Sequence, residues 1–279
     1  MVILEFMPES LDIWKLLAGL GIFMFGMFLM EESIKNLAGR SFKGFIKNST
    51  KGRIRSVLSG TLVTAVLQSS SAVSLMVLAF VGAGIMAMEN AIGVILGSNI
   101  GTTATAWIVA FFGFKVNIED YSLPLIGLGG LGLIFLGKSA RYSNISKLMV
   151  GFGFLFMGLD YMKTSVTELT QAFDVTSLPD YGILPYAFAG LVLTAVMQSS
   201  SATIAIVLTS LNAEVIGFNA AAAMVVGANV GTTVTVILGT IGGTQIKKRV
   251  ALSHLMFNTL TAVIGLLLLP LITWLIVIV

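Results

Sequence analysis

The chain has 279 residues, of which 56% are hydrophobic and 10% charged, with a mean hydropathy of +0.98. A soluble domain carries about 25% charge, so a water-soluble globular fold is excluded and an all-α integral membrane protein is expected. The absence of cysteine rules out disulfide, thiolate and iron–sulfur chemistry. The net charge of +3 falls in short loops between apolar segments, which reads as membrane topology and not as a nucleic-acid surface.

In chain order, the start "MVILEFMPESLDIWK" has acidic residues where a signal peptide would be basic. Residues 13–30 are therefore expected to be the first membrane span. A basic stretch follows, with Lys35, Arg40, Lys43, Lys47, Lys51, Arg53 and Arg55. By the positive-inside rule it is a cytoplasmic loop, and the N-terminus lies outside. Anionic membrane lipid is a plausible contact for it.

Residues 57–87 contain "TAVLQSSSAVS", a bare polar cluster in an apolar run. This segment either crosses the membrane as one long helix or folds back as a hairpin at Gln68–Ser71. As a helix, residues 57–67 would rise about 16 Å, half of a roughly 30 Å hydrocarbon core. The distribution of Lys and Arg marginally favours the hairpin, which keeps Lys138, Arg141 and Lys147 cytoplasmic. It also places 115–122 and an acidic loop at 163–185 outside. The next segment, 90–114, holds "GSNIGTT", in which two glycines around Asn99 would permit an unwound stretch. The glycines of "GLGIFMFG" and "GLGGLGLIFLG" read as close helix packing.

The second half repeats the first. "GTLVTAVLQSSSA" returns as "GLVLTAVMQSSSA" and "GSNIGTTAT" as "GANVGTTVT", both at an offset of 130. "GLGIFMFGMFLMEES" returns as "GFGFLFMGLDYMKTS" at 132. The expected units are 13–141, with a hairpin at 57–87 and an unwound helix at 90–114, and 145–279, with a hairpin at 186–211 and an unwound helix at 215–241. With hairpins, each half has three transmembrane helices. An odd number inverts the second half relative to the first, so two re-entrant tips meet near the midplane, as in secondary transporters. The last apolar segment runs to the end of the sequence.

The polar clusters then become a candidate site. Irregular backbone at membrane depth is tolerated only around a cavity or within protein. Ser hydroxyls and the N–H groups opening helices at Ala72 and Ala202 suit an oxyanion. Carbonyl, hydroxyl and amide oxygens suit a hard monovalent cation. No Lys or Arg falls in these motifs, so an anion's charge must be offset by helix termini and co-bound cations, the thermodynamic basis of coupled transport. The plainer reading, Ser and Thr as packing residues, fits a single cluster better than a repeated one. Asp160 reads as interfacial. His254, the single histidine, lies four residues before Asn258 and reads as a packing or hydrogen-bonding residue.

These motifs resemble the type II sodium-dependent phosphate cotransporters. The resemblance rests on "TAVLQSSSA" with "GSNIGTTAT", on "TAVMQSSSA" with "GANVGTTVT", and on "SHLMFN" (253–258). It implies symport of inorganic phosphate with sodium as co-substrate, no other cofactor and no catalytic residue. The implied phosphate site is Ser69, Ser70, Ser71, Ser199, Ser200 and Ser201 with Asn99 and Asn229. The implied sodium ligands are Gln68, Thr102, Thr103, Gln198, Ser199, Thr232 and Thr233. The resemblance also implies a homodimer in the inner (plasma) membrane with an elevator-like movement. Bacterial relatives often carry a PhoU-like regulatory domain, which would lie beyond the sequence read here. Electrogenic members have an aspartate after the first GxNxGT segment; "WIVAFFGFKVNIED" has no acid at a clearly matching position, which is compatible with an electroneutral stoichiometry. A phosphate exporter, a carrier of another oxyanion, an intramembrane serine hydrolase and a passive channel are the alternatives.

Overall fold

The computed structural model describes residues 13–49, 52–115, 118–172 and 182–278. All regular elements among them are helices: α1 (Ile13–Ser49), α2 (Arg53–Leu67), α3 (Ser70–Gly82), α4 (Met88–Lys115), α5 (Ile118–Leu136), α6 (Ala140–Ala172), α7 (Ile183–Met197), α8 (Ser200–Asn212), α9 (Phe218–Gly231), α10 (Thr233–Leu238) and α11 (Gln245–Ile278). Among the described residues, five stretches are long and apolar enough to cross a membrane: Ile13–Ala38, Met88–Phe111, Ala140–Glu168, Phe218–Leu238 and Gln245–Ile276. α5 is a shorter apolar helix, as are α3, α7 and α8. Large apolar side chains face outward, with Trp107 73%, Phe135 76% and Leu267 75% exposed. This is the surface that hydrocarbon covers, and the chain is a multi-pass membrane protein.

α1 and α6 form an antiparallel pair. Salt bridges clamp both ends, Lys15 to Glu168 at 2.7 Å and Lys147 to Glu32 at 3.0 Å. Between them the backbones touch through glycine. A Cβ on Gly26 would lie 2.5 Å from the Leu155 nitrogen, and one on Gly158 2.4 Å from the Phe23 nitrogen. In "GLGIFMFG", Gly19 and Gly26 thus serve close packing, as expected, whereas Gly21 faces open space. In "GLGGLGLIFLG" likewise only some pack closely: Gly129 and Gly132 meet Ser146, whereas Gly127 and Gly130 face open space.

Each QSSS cluster breaks its helix in the same way. Gln68 adopts φ 55°, ψ 24° and Ser69 turns extended at φ −145°, ψ 100°. Gln198 and Ser199 repeat this with φ 54°, ψ 24° and φ −145°, ψ 103°. A left-handed residue is uncommon outside glycine, and finding it twice at equivalent positions marks a built feature. In the second half the Thr194 and Thr203 hydroxyls are hydrogen-bonded at 2.8 Å. In a continuous helix nine residues span about 13.5 Å, so the chain folds back at Gln198–Ser199. The equivalent of Thr203 in the first half is Val73, and the Thr64 hydroxyl accordingly has no partner.

Three expectations are corrected. α1 is 37 residues long, about 55 Å, so the basic stretch from Lys35 to Lys47 continues a helix and does not form a loop after residue 30. The expected acidic loop at 163–185 is helical to Ala172 and again from Ile183, where α7 begins; 173–181 lie outside the described residues, as do 116–117 of the 115–122 segment. The expected unwinding at 90–114 is not found: α4 runs unbroken through Gly97 and Gly101. In 215–241 the helix is interrupted only at Thr232, which keeps right-handed angles of φ −58°, ψ −27°.

The glycines of GxNxGTT have a different purpose. A Cβ on Gly97 would lie 1.9 Å from the Val57 carbonyl oxygen, and one on Gly227 1.8 Å from that of Ala187. Gly60 and Gly190 return the approach, at 2.0 Å from the carbonyl oxygens of Val94 and Met224. These four positions let α2 lie on α4, and α7 on α9, backbone to backbone.

The helices that follow the two breaks, α3 and α8, pack differently from those that precede them. Ala202 and Ala205 of α8 share a buried cluster with Phe23 and Met30 of α1, Val109 of α4 and Leu155 of α6. Val73, Val77 and Val81 of α3 share one with Val236 of α10 and Val250 of α11. α3 and α8 each pack on their own half and also reach the other, which brings the two tips together.

Candidate functional site

At each tip the first serine is an N-cap. The Ala72 N–H donates to Ser69 Oγ at 3.2 Å, and the Ala202 N–H to Ser199 Oγ at 3.2 Å. The preceding amides, Ser70 and Ser71 in one tip and Ser200 and Ser201 in the other, open 13-residue helices. They have no helical carbonyl four residues back to donate to. An N-capped helix terminus of this kind presents N–H groups and partial positive charge to an anion.

The tips line a common cavity of about 340 Å³, walled by Gln68–Ala72, Met197–Ser201, Met24, Met27, Phe28, Leu75, Glu31 and Lys35. At about 30 Å³ per water in the liquid, it accommodates a small oxyanion with several waters. A second cavity of about 330 Å³ holds Asn99, Thr102, Thr103, Asn229 and Thr232 against the apolar Ile204, Leu208, Val225 and Val226. Ser70 and Ser200 line both cavities, so these two hydroxyls form the shared wall.

The six serines expected at one site are thus together. Asn99 and Asn229, expected beside them, face the second chamber with the Thr residues. Thr233 lines neither cavity; it is buried and donates to the Val230 carbonyl. The other Thr hydroxyls also donate within their own helices, Thr102 to Ser98 O at 2.8 Å, Thr103 to Ile100 O at 2.7 Å and Thr232 to Ala228 O at 3.1 Å. With its proton committed inward, each oxygen keeps lone pairs for a cation.

Gln68 and Gln198 are held from both ends. Gln68 Nε2 donates to Ala65 O and its Oε1 accepts from Thr105 at 2.8 Å. Gln198 Nε2 donates to Ala195 O and its Oε1 accepts from Thr235 at 2.7 Å. Each carbonyl keeps one lone pair, and each side chain fixes the tip against the helix behind it. Thr105 and Thr235 were not anticipated as site residues. Their signal was present as the last Thr of "GTTAT" and "GTTVT", 37 residues after the Gln in both halves. Asn258 also joins the site: its Oδ1 accepts from Asn99 Nδ2 at 2.7 Å, while its Nδ2 donates to the His254 backbone carbonyl at 3.1 Å. The His254 ring is buried, and neither ring nitrogen has a hydrogen-bond partner.

The halves match in local geometry but not in exposure. Gln68 is 9% exposed and Thr105 1%, whereas Gln198 is exposed and Thr235 half-buried. Ser201 reaches across the halves to Thr105 at 3.4 Å, closing a chain of hydroxyls from one tip to the Gln of the other.

The profile of the Na+/Pi-cotransporter family matches residues 22–164 and 184–274. The chain belongs to this family. Among curated relatives, the chain is 29% identical over 241 residues to the uncharacterized protein YqeW of Bacillus subtilis, covering 85% of this chain and 76% of that protein. It is 27% identical over 259 residues to the putative inorganic phosphate export protein YjbB of Escherichia coli, covering 91% of this chain. Of that protein's length the chain spans just under half, 46%. Over an alignment of 128 positions, covering 39% of this chain and 21% of the relative, the chain is 42% identical to human sodium-dependent phosphate transport protein 2C. No solved structure matches the chain. Membership of this transporter family supports phosphate transport as the coarse function.

Proposed function

We propose that the chain is a sodium-coupled symporter of inorganic phosphate. Phosphate binds between the two QSSS tips, on Ser69–Ser71, Ser199–Ser201 and the amides that open α3 and α8. Sodium is held by hydroxyl and amide oxygens of Gln68, Gln198, Ser199, Thr102, Thr103 and Thr232, on either side of the shared Ser70–Ser200 wall. The carrying observation is that two neutral, N-capped helix starts from opposite halves converge on one cavity. Such a site offers an anion dipoles and few full charges, so a co-bound cation adds to its affinity, and coupling follows by reciprocity.

In this reading the two halves, 13–141 and 145–279, are inverted in the plasma membrane with re-entrant tips and the N-terminus outside. The unequal exposure of Gln68 and Gln198 supports an alternating cycle in which each tip is covered in turn, by elevator-like motion in a homodimer. The experiment is uptake of labelled phosphate into proteoliposomes under an inward sodium gradient; uptake indifferent to sodium overturns the proposal. The export name of the E. coli relative favours a second reading, net efflux, and reversing the gradient distinguishes the two. An intramembrane serine hydrolase is disfavoured, because the partnerless His254 activates no serine.

A further inference from the structure

The tip cavity contains one full positive charge. Lys35, on α1, lines it together with Glu31, and the Lys35 ammonium is paired with the Glu31 carboxylate one turn back. The lysine side chain is 42% exposed and that of Glu31 30%, while Ser70 and Ser200 at the cavity's inner wall are 8% exposed. The pair therefore sits at the rim, between solvent and the tips.

The repeat does not supply this pair twice. At the offset of 132 that aligns α1 with α6, the equivalents of Glu31 and Lys35 are Lys163 and Thr167, neither of which lines the cavity. The charge belongs to one approach to the site. A lysine held by a single, part-exposed carboxylate is weakly bound, because such pairs contribute little in water. A multiply charged oxyanion competes well against one carboxylate for it.

Building on the phosphate reading, we propose that Lys35 is the entry residue of the site on one membrane face. It is parked on Glu31 when the cavity is empty and passes to the oxyanion as it enters, so that Glu31 tunes the affinity on that face alone. Rim charges act mainly on encounter rate and salt dependence. At physiological ionic strength screening acts over about 8 Å, so the effect is modest and local.

The experiment measures initial rates of labelled phosphate transport in proteoliposomes, from each face separately, against phosphate concentration. K35Q is expected to raise KM by about threefold to tenfold on the face bearing the C-terminal half of α1, with kcat close to wild type. K35R retains low KM, and E31Q lowers KM on the same face by freeing the lysine. Raising salt shrinks the difference between wild type and K35Q. Transport-competent K35Q and E31Q with wild-type KM on both faces overturn the entry role while leaving the phosphate reading intact. Equal KM changes on both faces also overturn it. A wild-type protein that moves no phosphate overturns both.

Discussion

Replacing Gly97 by Ala separates two uses of a glycine at membrane depth. If Gly97 existed to let the helix unwind, an added methyl would stiffen α4, spare its packing and alter transport alone. The structure requires the opposite. The new Cβ would stand 1.9 Å from the Val57 carbonyl oxygen, against a normal C···O contact of about 3.3–3.6 Å. α2 and α4 would have to part by roughly 1.5 Å, and the obstacle is backbone, which cannot swing aside. Overpacking of this kind costs about 1–3 kcal/mol, with this site at the upper end because Gly60 locks the same interface from the other side. At about 2–4 °C per kcal/mol for a chain of this size, G97A lowers the melting temperature in detergent by roughly 5–10 °C. Gly21 is the control, since a Cβ there meets nothing within 4 Å. G21A is neutral or slightly stabilising, because Ala is the better helix former. G97A melting with the wild type, and with transport impaired, would refute the packing account.

Thr105→Val leaves the buried Gln68 carbonyl without its donor, at about 1–3 kcal/mol. Thr235→Val exposes the Gln198 carbonyl to water at about 0.5 kcal/mol or less. Thermal melts should rank them T105V well below T235V; equal losses would contradict the unequal burial of the two tips. Ser70→Ala and Ser200→Ala each remove a hydroxyl shared by both cavities, so each should weaken phosphate and sodium together. About tenfold in both apparent affinities is expected for a hydrogen bond to a charged group, and a change in phosphate KM alone would argue against the shared wall. Asn258→Leu strips the acceptor from Asn99 and should raise the sodium concentration needed for half-maximal uptake by about tenfold. Asn258→Asp keeps the acceptor and should be milder in the same titration.

The residues that announce the site were legible because they violate their surroundings. Gln68–Ser71 and Gln198–Ser201 are polar where everything nearby is apolar, and a copy at a constant offset turns an oddity into a pattern. The Thr of "GTTAT" was equally regular yet went unread, because its role is a hydrogen bond to a Gln 37 residues away. Spacing alone does not reveal such a contact. The glycines of GxNxGTT misled for a related reason. Glycine permits both unusual backbone and close approach, and only a neighbouring helix distinguishes them: the Val57 and Ala187 carbonyls are what Gly97 and Gly227 make room for.

Composition, the internal repeat and the alternation of apolar and basic segments by themselves determined the membrane class, the helical architecture and the identity of the polar tips. The first two are local properties, read from hydrophobic transfer within about 20 residues; the third rests on a repeat of the same local pattern 130 residues on. Tertiary structure alone decided how the halves engage. Beyond their own halves, α8 reaches α1 and α4, and α3 reaches α10 and α11, so the tips meet and Ser201 reaches Thr105. It also divided the expected site into two chambers with Ser70 and Ser200 between them, and placed Lys35 and Glu31 at the rim of one. Apolar helix faces in a membrane have no strong preference among partners, since lipid is as good a solvent for them as another helix. The pairing is set by small residues and interhelical hydrogen bonds whose complementarity exists only once the helices are side by side.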